Sequence, residues 1–152
     1  MDYCSEKSCN TQLIIICGPT ASGKTALSVE LAKRLNSKVI SADSLYVYKG
    51  LDVGTAKPTN EELCGIEHYM IDICDTCDTF SVGDYKEIAK PVLENLMKEN
   101  IIPIVCGGTG FYINSILYDF SYGNAGSNLI AREKYFNLAK ERLTTLDLSA
   151  EK

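Results

Sequence analysis

A chain of 152 residues with 45% hydrophobic and 9% aromatic content is the size of one domain and has enough apolar side chains to bury a real core. Fifteen basic against twenty acidic side chains give a formal net charge of -5, which argues against a generally basic surface laid along nucleic acid and leaves room only for local patches. No apolar run approaches the roughly 18 to 20 residues of a membrane helix, and Met1 to Asn10 is too polar for a secretory h-region, so the expectation is no membrane partner and a cytoplasmic location.

Residues 1–11 read as a loose leader. The run Leu13-Ile14-Ile15-Ile16-Cys17 then reads as a buried parallel strand, and it runs into Gly18-Pro19-Thr20-Ala21-Ser22-Gly23-Lys24-Thr25. This stretch has the spacing of a phosphate loop: glycine, four free positions, then Gly-Lys-Thr. Thr25 to Leu35 reads as a helix, so the strand, loop and helix supply the context that the loop needs. Gly18 and Gly23 let backbone N-H groups turn onto phosphate oxygens at the positive end of the helix. Lys24 adds a point charge and Thr25 a hydroxyl for magnesium. A glycine-rich turn without a ligand would have no use for those last two side chains. Leu27, Leu31 and Leu35 give the helix an apolar stripe, Asn36-Ser37 ends it, and Lys38 to Ala42 forms a second strand. The short strand, helix, strand spacing is that of a right-handed crossover in a parallel sheet.

The second strand leads into Asp43-Ser44-Leu45-Tyr46-Val47-Tyr48-Lys49-Gly50. In an open parallel sheet, ligands collect outside the carboxyl ends of the strands, so Asp43 and the loop face one crevice. A carboxylate there can act as a general base or hold magnesium through water, and the plain alternative is a turn or N-cap aspartate. Lys49 and Lys57 make this region locally basic, although exposed loop lysines usually only solvate a surface.

His68 to Ile73 reads as a third strand, in which the lone histidine is a structural hydrogen-bonding residue more often than a catalyst. Ser81-Val-Gly-Asp84 is a capping box that opens a helix with an apolar stripe through Tyr85, Ala89, Leu93 and Leu96, and Pro91 should kink or divide it. Ile101 to Cys106 is a fourth buried strand. It ends in Gly107-Gly108-Thr109-Gly110, where Thr109 offers a hydroxyl, before the helix-like Phe111 to Tyr118. Residues 121–152 read as a connector and the start of a helical segment. The seven cysteines are odd in number and scattered, as in proteins with reduced thiols, and Cys74-Asp-Thr-Cys77 lacks the complement of a zinc site.

Three stretches in this order, Gly18 to Thr25, Ser41 to Thr59 and Val105 to Ile113, resemble the tRNA dimethylallyltransferases, and the likeness runs from about Leu13 to Leu117. Those enzymes move a dimethylallyl group from its diphosphate to the exocyclic amine of the adenosine 3′ of the anticodon. The resemblance implies an α/β fold, a P-loop NTPase-like parallel sheet with flanking helices over residues 12–120, followed by a partial helical tRNA-binding insertion over 121–152. It implies that Gly18, Pro19, Thr20, Ala21, Ser22, Gly23, Lys24 and Thr25 hold diphosphate or nucleotide, with Thr25 aiding Mg2+, and that Asp43 is the catalytic base. It implies tRNA contacts from Asp43, Ser44, Leu45, Tyr46 and Thr109, with tRNA and dimethylallyl diphosphate as partners of a monomer.

The chain departs from that family in three places. Tyr46 stands where glutamine is usual, and it could stack on a flipped adenine but offers no paired amide donor and acceptor. Pro91 interrupts a helix that is otherwise continuous. Lys152 falls inside the insertion, so the expectation is a truncated enzyme that lacks the returning core segment and its diphosphate-binding arginine. Of the arginines at 34, 132 and 142, Arg34 sits late in the first helix, facing away from the loop. The alternatives are a small P-loop kinase using ATP and a non-catalytic fragment that binds diphosphate.

Overall fold

The computed structural model describes residues 12–118 and 133–138. The chain divides into two units, Met1–Asp119 and Phe120–Lys152. In the second, residues 133–138 are helical and exposed. The expected leader, the connector and the rest of the expected insertion, with Arg132 and Arg142, lie outside the described residues.

In the first unit the chain alternates strand and helix: β1 (Ile14–Cys17), α1 (Lys24–Leu35), β2 (Val39–Ser41), α2 (Asn60–Leu63), β3 (His68–Tyr69), α3 (Val82–Lys98), β4 (Ile104–Gly107) and α4 (Gly110–Leu117). Every pairing is parallel and the strand order is β1-β4-β2-β3. The α/β expectation therefore holds, and the crossover from β1 through α1 to β2 steps over the strand that comes last.

Register sorts the side chains by face. Ile15, Val105, Ile40 and Tyr69 lie at paired positions and pack with Tyr85, Ala89, Leu93 and Leu96 of α3 and Tyr112 and Ile113 of α4. Ile14, Ile16, Ile104 and Val39 take the opposite face with Leu31 and Ala32 of α1. The result is three layers with the sheet in the middle.

Several expectations are corrected. The first strand is half-buried and Cys17 is exposed, because β1 lies at the sheet edge and pairs only with β4 among the described strands. In α1 the buried residues are Ser28, Val29 and Ala32, whereas Leu27 is 51% and Leu35 41% exposed. Small side chains let the helix settle onto a sheet whose own isoleucines and valines fill the interface. The third strand ends at Tyr69, because Met70 and Asp72 take left-handed φ values of 66° and 55°. Residues 72–74 instead bond to the segment after β2: the N-H groups of Asp72 and Ile73 donate to the carbonyls of Tyr46 and Val47, both at 2.9 Å. The fourth strand begins at Ile104 rather than Ile101, whose N-H still closes the end of α3 on Leu96 O. The capping box of α3 forms between Ser81 and Asp84, but Pro91 does not divide the helix. Pro91 is exposed, so water can take the carbonyl it leaves without a donor. Among the described residues no helix is long and apolar enough to cross a membrane.

Tyr85 joins the core to the end of β2. Its fully buried ring stacks on Tyr112 with centroids 4.0 Å apart, and its hydroxyl donates to Ser41 O at 2.9 Å. Burial, and next the neighbouring Tyr112, keep this phenol protonated far above its ordinary range. Tyr85→Phe is expected to lower stability by about 1–3 kcal/mol, the cost of leaving a buried acceptor short of a donor. Urea unfolding checks this: the midpoint should fall with its slope unchanged.

Candidate active site

The segment from Gly18 to Thr25 turns from the edge strand into α1. Gly23 takes φ 80° at the N-cap, a left-handed geometry that costs glycine nothing, and Ala21 shares that region at 62°. No side chain caps α1 and no acid sits in its first turn, so its first amides and the positive end of its dipole are directed at this loop. Lys24 Nζ donates to the Pro19 carbonyl at 2.5 Å and Ser22 Oγ to the same oxygen at 2.8 Å, which folds the ammonium over the loop. Thr25, half-buried, lines the cavity behind it. Arg34 pairs with Glu30 at 2.7 Å near the far end of α1 and lies outside this cluster.

The second half of the site is fastened to the first by β4. A Cβ on Gly107 would overlap the backbone of Ala42, and one on Gly108 would stand 3.5 Å from Gly18 O, so the two glycines form a floor under the phosphate loop and the end of β2. Thr109 N donates to Ala42 O at 2.9 Å, and Ser44 N donates to Thr109 Oγ1 at 3.0 Å. Asp43 Oδ1 accepts from Leu45 N at 3.0 Å, an Asx turn that aims the side chain and leaves Oδ2 outside that bond. Since β4 lies between β1 and β2, the loop and Asp43 are two inter-strand steps apart, roughly 10 Å. That gap suits a small polyanion with a reacting carbon between the two. Leu45 is exposed at the rim.

Tyr46 is half-buried and donates its phenol proton to Ala56 O at 2.5 Å. Burial, and then the charge of Asp43, raise its pKa above the ordinary 10. The expectation of exposed loop lysines is overturned at Lys57, which turns inward onto Asp52 and Asp72, while Lys49 pairs with Asp75 at 3.3 Å. What sequence reasoning missed is the inward turn of Lys57 and the buried hydroxyl of Ser41. Ser41 and His68 face a small open-mouthed pocket, with Thr25, Tyr46 and Cys106 among its walls. The Ser41 hydroxyl and His68 Nε2 are buried there without a hydrogen-bond partner.

His68 Nδ1 bonds to Ile66 O at 2.9 Å, in keeping with a structural role. Burial pushes its pKa below the ordinary 6.5, against a smaller upward pull from Ile66 O. The unfolded chain then takes up a proton near 6.5 that the folded chain refuses, so stability is complete above that pH and is lost as pH falls through the lower folded value. This is the one histidine in the sequence. Unfolding measured between pH 7.5 and about 5.5 should show a loss of stability with acid that His68→Gln removes.

The family described as IPP transferase matches residues 46–151. The chain belongs to the IPP transferase family. A tRNA dimethylallyltransferase of Staphylococcus haemolyticus is 56% identical over 110 residues, covering 72% of this chain and 33% of that protein. One from Thermoanaerobacter is 45% identical over 149 residues, covering 93% of this chain and 47% of its own length. Among solved structures, a full-length tRNA isopentenylpyrophosphate transferase from Bacillus halodurans superposes with a TM-score of 0.72 at 39% identity, over 92% of this chain and 49% of that one. A eukaryotic dimethylallyltransferase acting on tRNA superposes at 0.71 with 30% identity, over 76% and 28%. The P-loop NTPase-like parallel sheet is thus the family fold. This IPP transferase chain spans between a third and a half of the length of the curated relatives quoted.

Proposed function

We propose that this chain carries the donor-binding and proton-accepting half of a tRNA dimethylallyltransferase. The observation that carries the reading is the glycine floor, which joins the ends of β1 and β2, and with them the Gly18 to Thr25 loop and Asp43, across the one intervening strand β4. Gly18 to Thr25 hold the diphosphate of dimethylallyl diphosphate, with the ammonium of Lys24 moving from Pro19 O to the anion. The exocyclic amine of the adenosine 3′ of the anticodon attacks C1 of the allyl group. The C1–O bond breaks with its electron pair leaving on diphosphate, the N–C1 bond forms, and the proton on nitrogen passes to Asp43 Oδ2. Electrostatic support of the departing charge is where the barrier falls most. Thr25 suits Mg2+, a hard cation that takes oxygen donors, and such an ion would neutralise charge on the diphosphate. Asp43, Ser44, Leu45 and Tyr46, with Thr109 behind them, face the tRNA, and the ring of Tyr46 stacks on the base drawn out of its stack. Dimethylallyl diphosphate labelled in the allyl group, incubated with unmodified tRNA and the 152-residue chain, tests this. Label should enter the tRNA and diphosphate should be released in equal amount. Release without transfer, or turnover only of ATP with a small acceptor, would overturn the assignment.

A further inference from the structure

We propose that Lys57 is the positioning residue of the tRNA-facing segment, setting the place of Tyr46 from inside the fold. The proposal rests on the reading of that segment given above. The Lys57 side chain is 4% exposed, and its ammonium meets Tyr48 O at 2.7 Å, Asp52 Oδ1 at 2.8 Å and Asp72 Oδ1 at 2.6 Å. Three donors thus meet three acceptors. Burial opposes the charge, but the two carboxylates outweigh it and raise the pKa of the lysine.

Of these partners Asp72 is bonded directly to Tyr46, and the residue next to Lys57 in the chain, Ala56, holds the other end of Tyr46. The Tyr46 carbonyl accepts from the N-H of Asp72 at 2.9 Å, and its hydroxyl donates to Ala56 O, one residue before Lys57. Ala56 and Asp72 both have left-handed φ values, 56° and 55°, which non-glycine residues keep only where their surroundings hold them. Lys57 supplies that hold, on Asp72 through its carboxylate and on Ala56 through the adjoining peptide. Both ends of Tyr46 therefore hang on one ammonium. Asp52 is mostly in water and Asp72 about half exposed, so the two contacts add little as simple salt bridges; their effect is geometric.

The test compares the unaltered chain with Lys57→Met, which keeps the stem and loses the charge, and with Lys57→Arg, which keeps the charge. In Lys57→Met, hydrogen exchange at the amides of Asp72, Ile73 and Cys74 should accelerate about tenfold or more while those of β4 stay unchanged. Affinity for unmodified tRNA should weaken about tenfold, with affinity for inorganic pyrophosphate altered less than twofold, and Lys57→Arg should recover most of both. Exchange rising evenly through β4 would make Lys57 a general stabiliser and overturn the proposal, as would a loosened loop with tRNA affinity intact. If the unaltered chain bound no tRNA, the reading of the preceding section would fail instead, and exchange at 72–74 would alone decide whether Lys57 holds Tyr46.

Discussion

Asp43→Asn is expected to reduce dimethylallyl transfer by a factor of about 100 to 10,000 while leaving affinity for dimethylallyl diphosphate within about twofold. The substitution is nearly isosteric. Its amide oxygen can still accept from Leu45 N, so the Asx turn and the path of Ser44 are kept. What disappears is the ability to take a proton from an attacking amine, since an amide is not basic at neutral pH. Asp43→Ala would be the poorer test, because it removes the turn as well. Single-turnover transfer and equilibrium donor binding on the same preparation separate the two effects, and transfer within tenfold of the unaltered chain would remove Asp43 as base.

The second large effect is structural. In Gly107→Ala the added methyl group meets the backbone of Ala42, which cannot yield as a flexible side chain would. The ends of β2 and β4 must splay, and the bonds from Thr109 to Ala42 and from Ser44 to Thr109 are the first casualties. The expected loss is about 2 kcal/mol or more, with transfer failing alongside because Asp43 moves away from the loop. Gly110→Ala is the control: nothing lies within 4 Å of its added carbon, it opens α4, and it should be neutral or slightly stabilising. Thermal unfolding of the two variants decides, and equal stability would remove the glycine floor from the account.

The residues differ in how plainly the sequence announces them. The strand, glycine turn and helix around Gly18 to Thr25 and the Ser81 box are local patterns that need only a few neighbours, and both are legible. Leu27 and Leu35 show the weakness of reading a helix face by apolar count alone: a helix pressed against a sheet of branched residues needs small side chains inward, so Ser28 and Ala32 take the places expected of leucine, and of the three leucines only Leu31 packs on the sheet. The overlong third strand has a related cause, since Met70 and Asp72 turn left-handed with no glycine to mark the place. Lys57 was illegible because Tyr48, Asp52 and Asp72 are brought to it only by the tertiary fold. That Asp43 and the loop share an edge follows from general rules of parallel sheets, but the strand between them does not.

That intervening strand has a bearing on how the molecule is made. As the ribosome releases the chain, the phosphate loop and Asp43 emerge early, yet β1 has no ladder to join, and β2 only the two-residue β3, until Ile104 to Gly107 arrive and slot between β1 and β2. Nascent products that stop before residue 104 should therefore show no grip on pyrophosphate, however complete their glycine loop, and competence should switch on abruptly with the last strand.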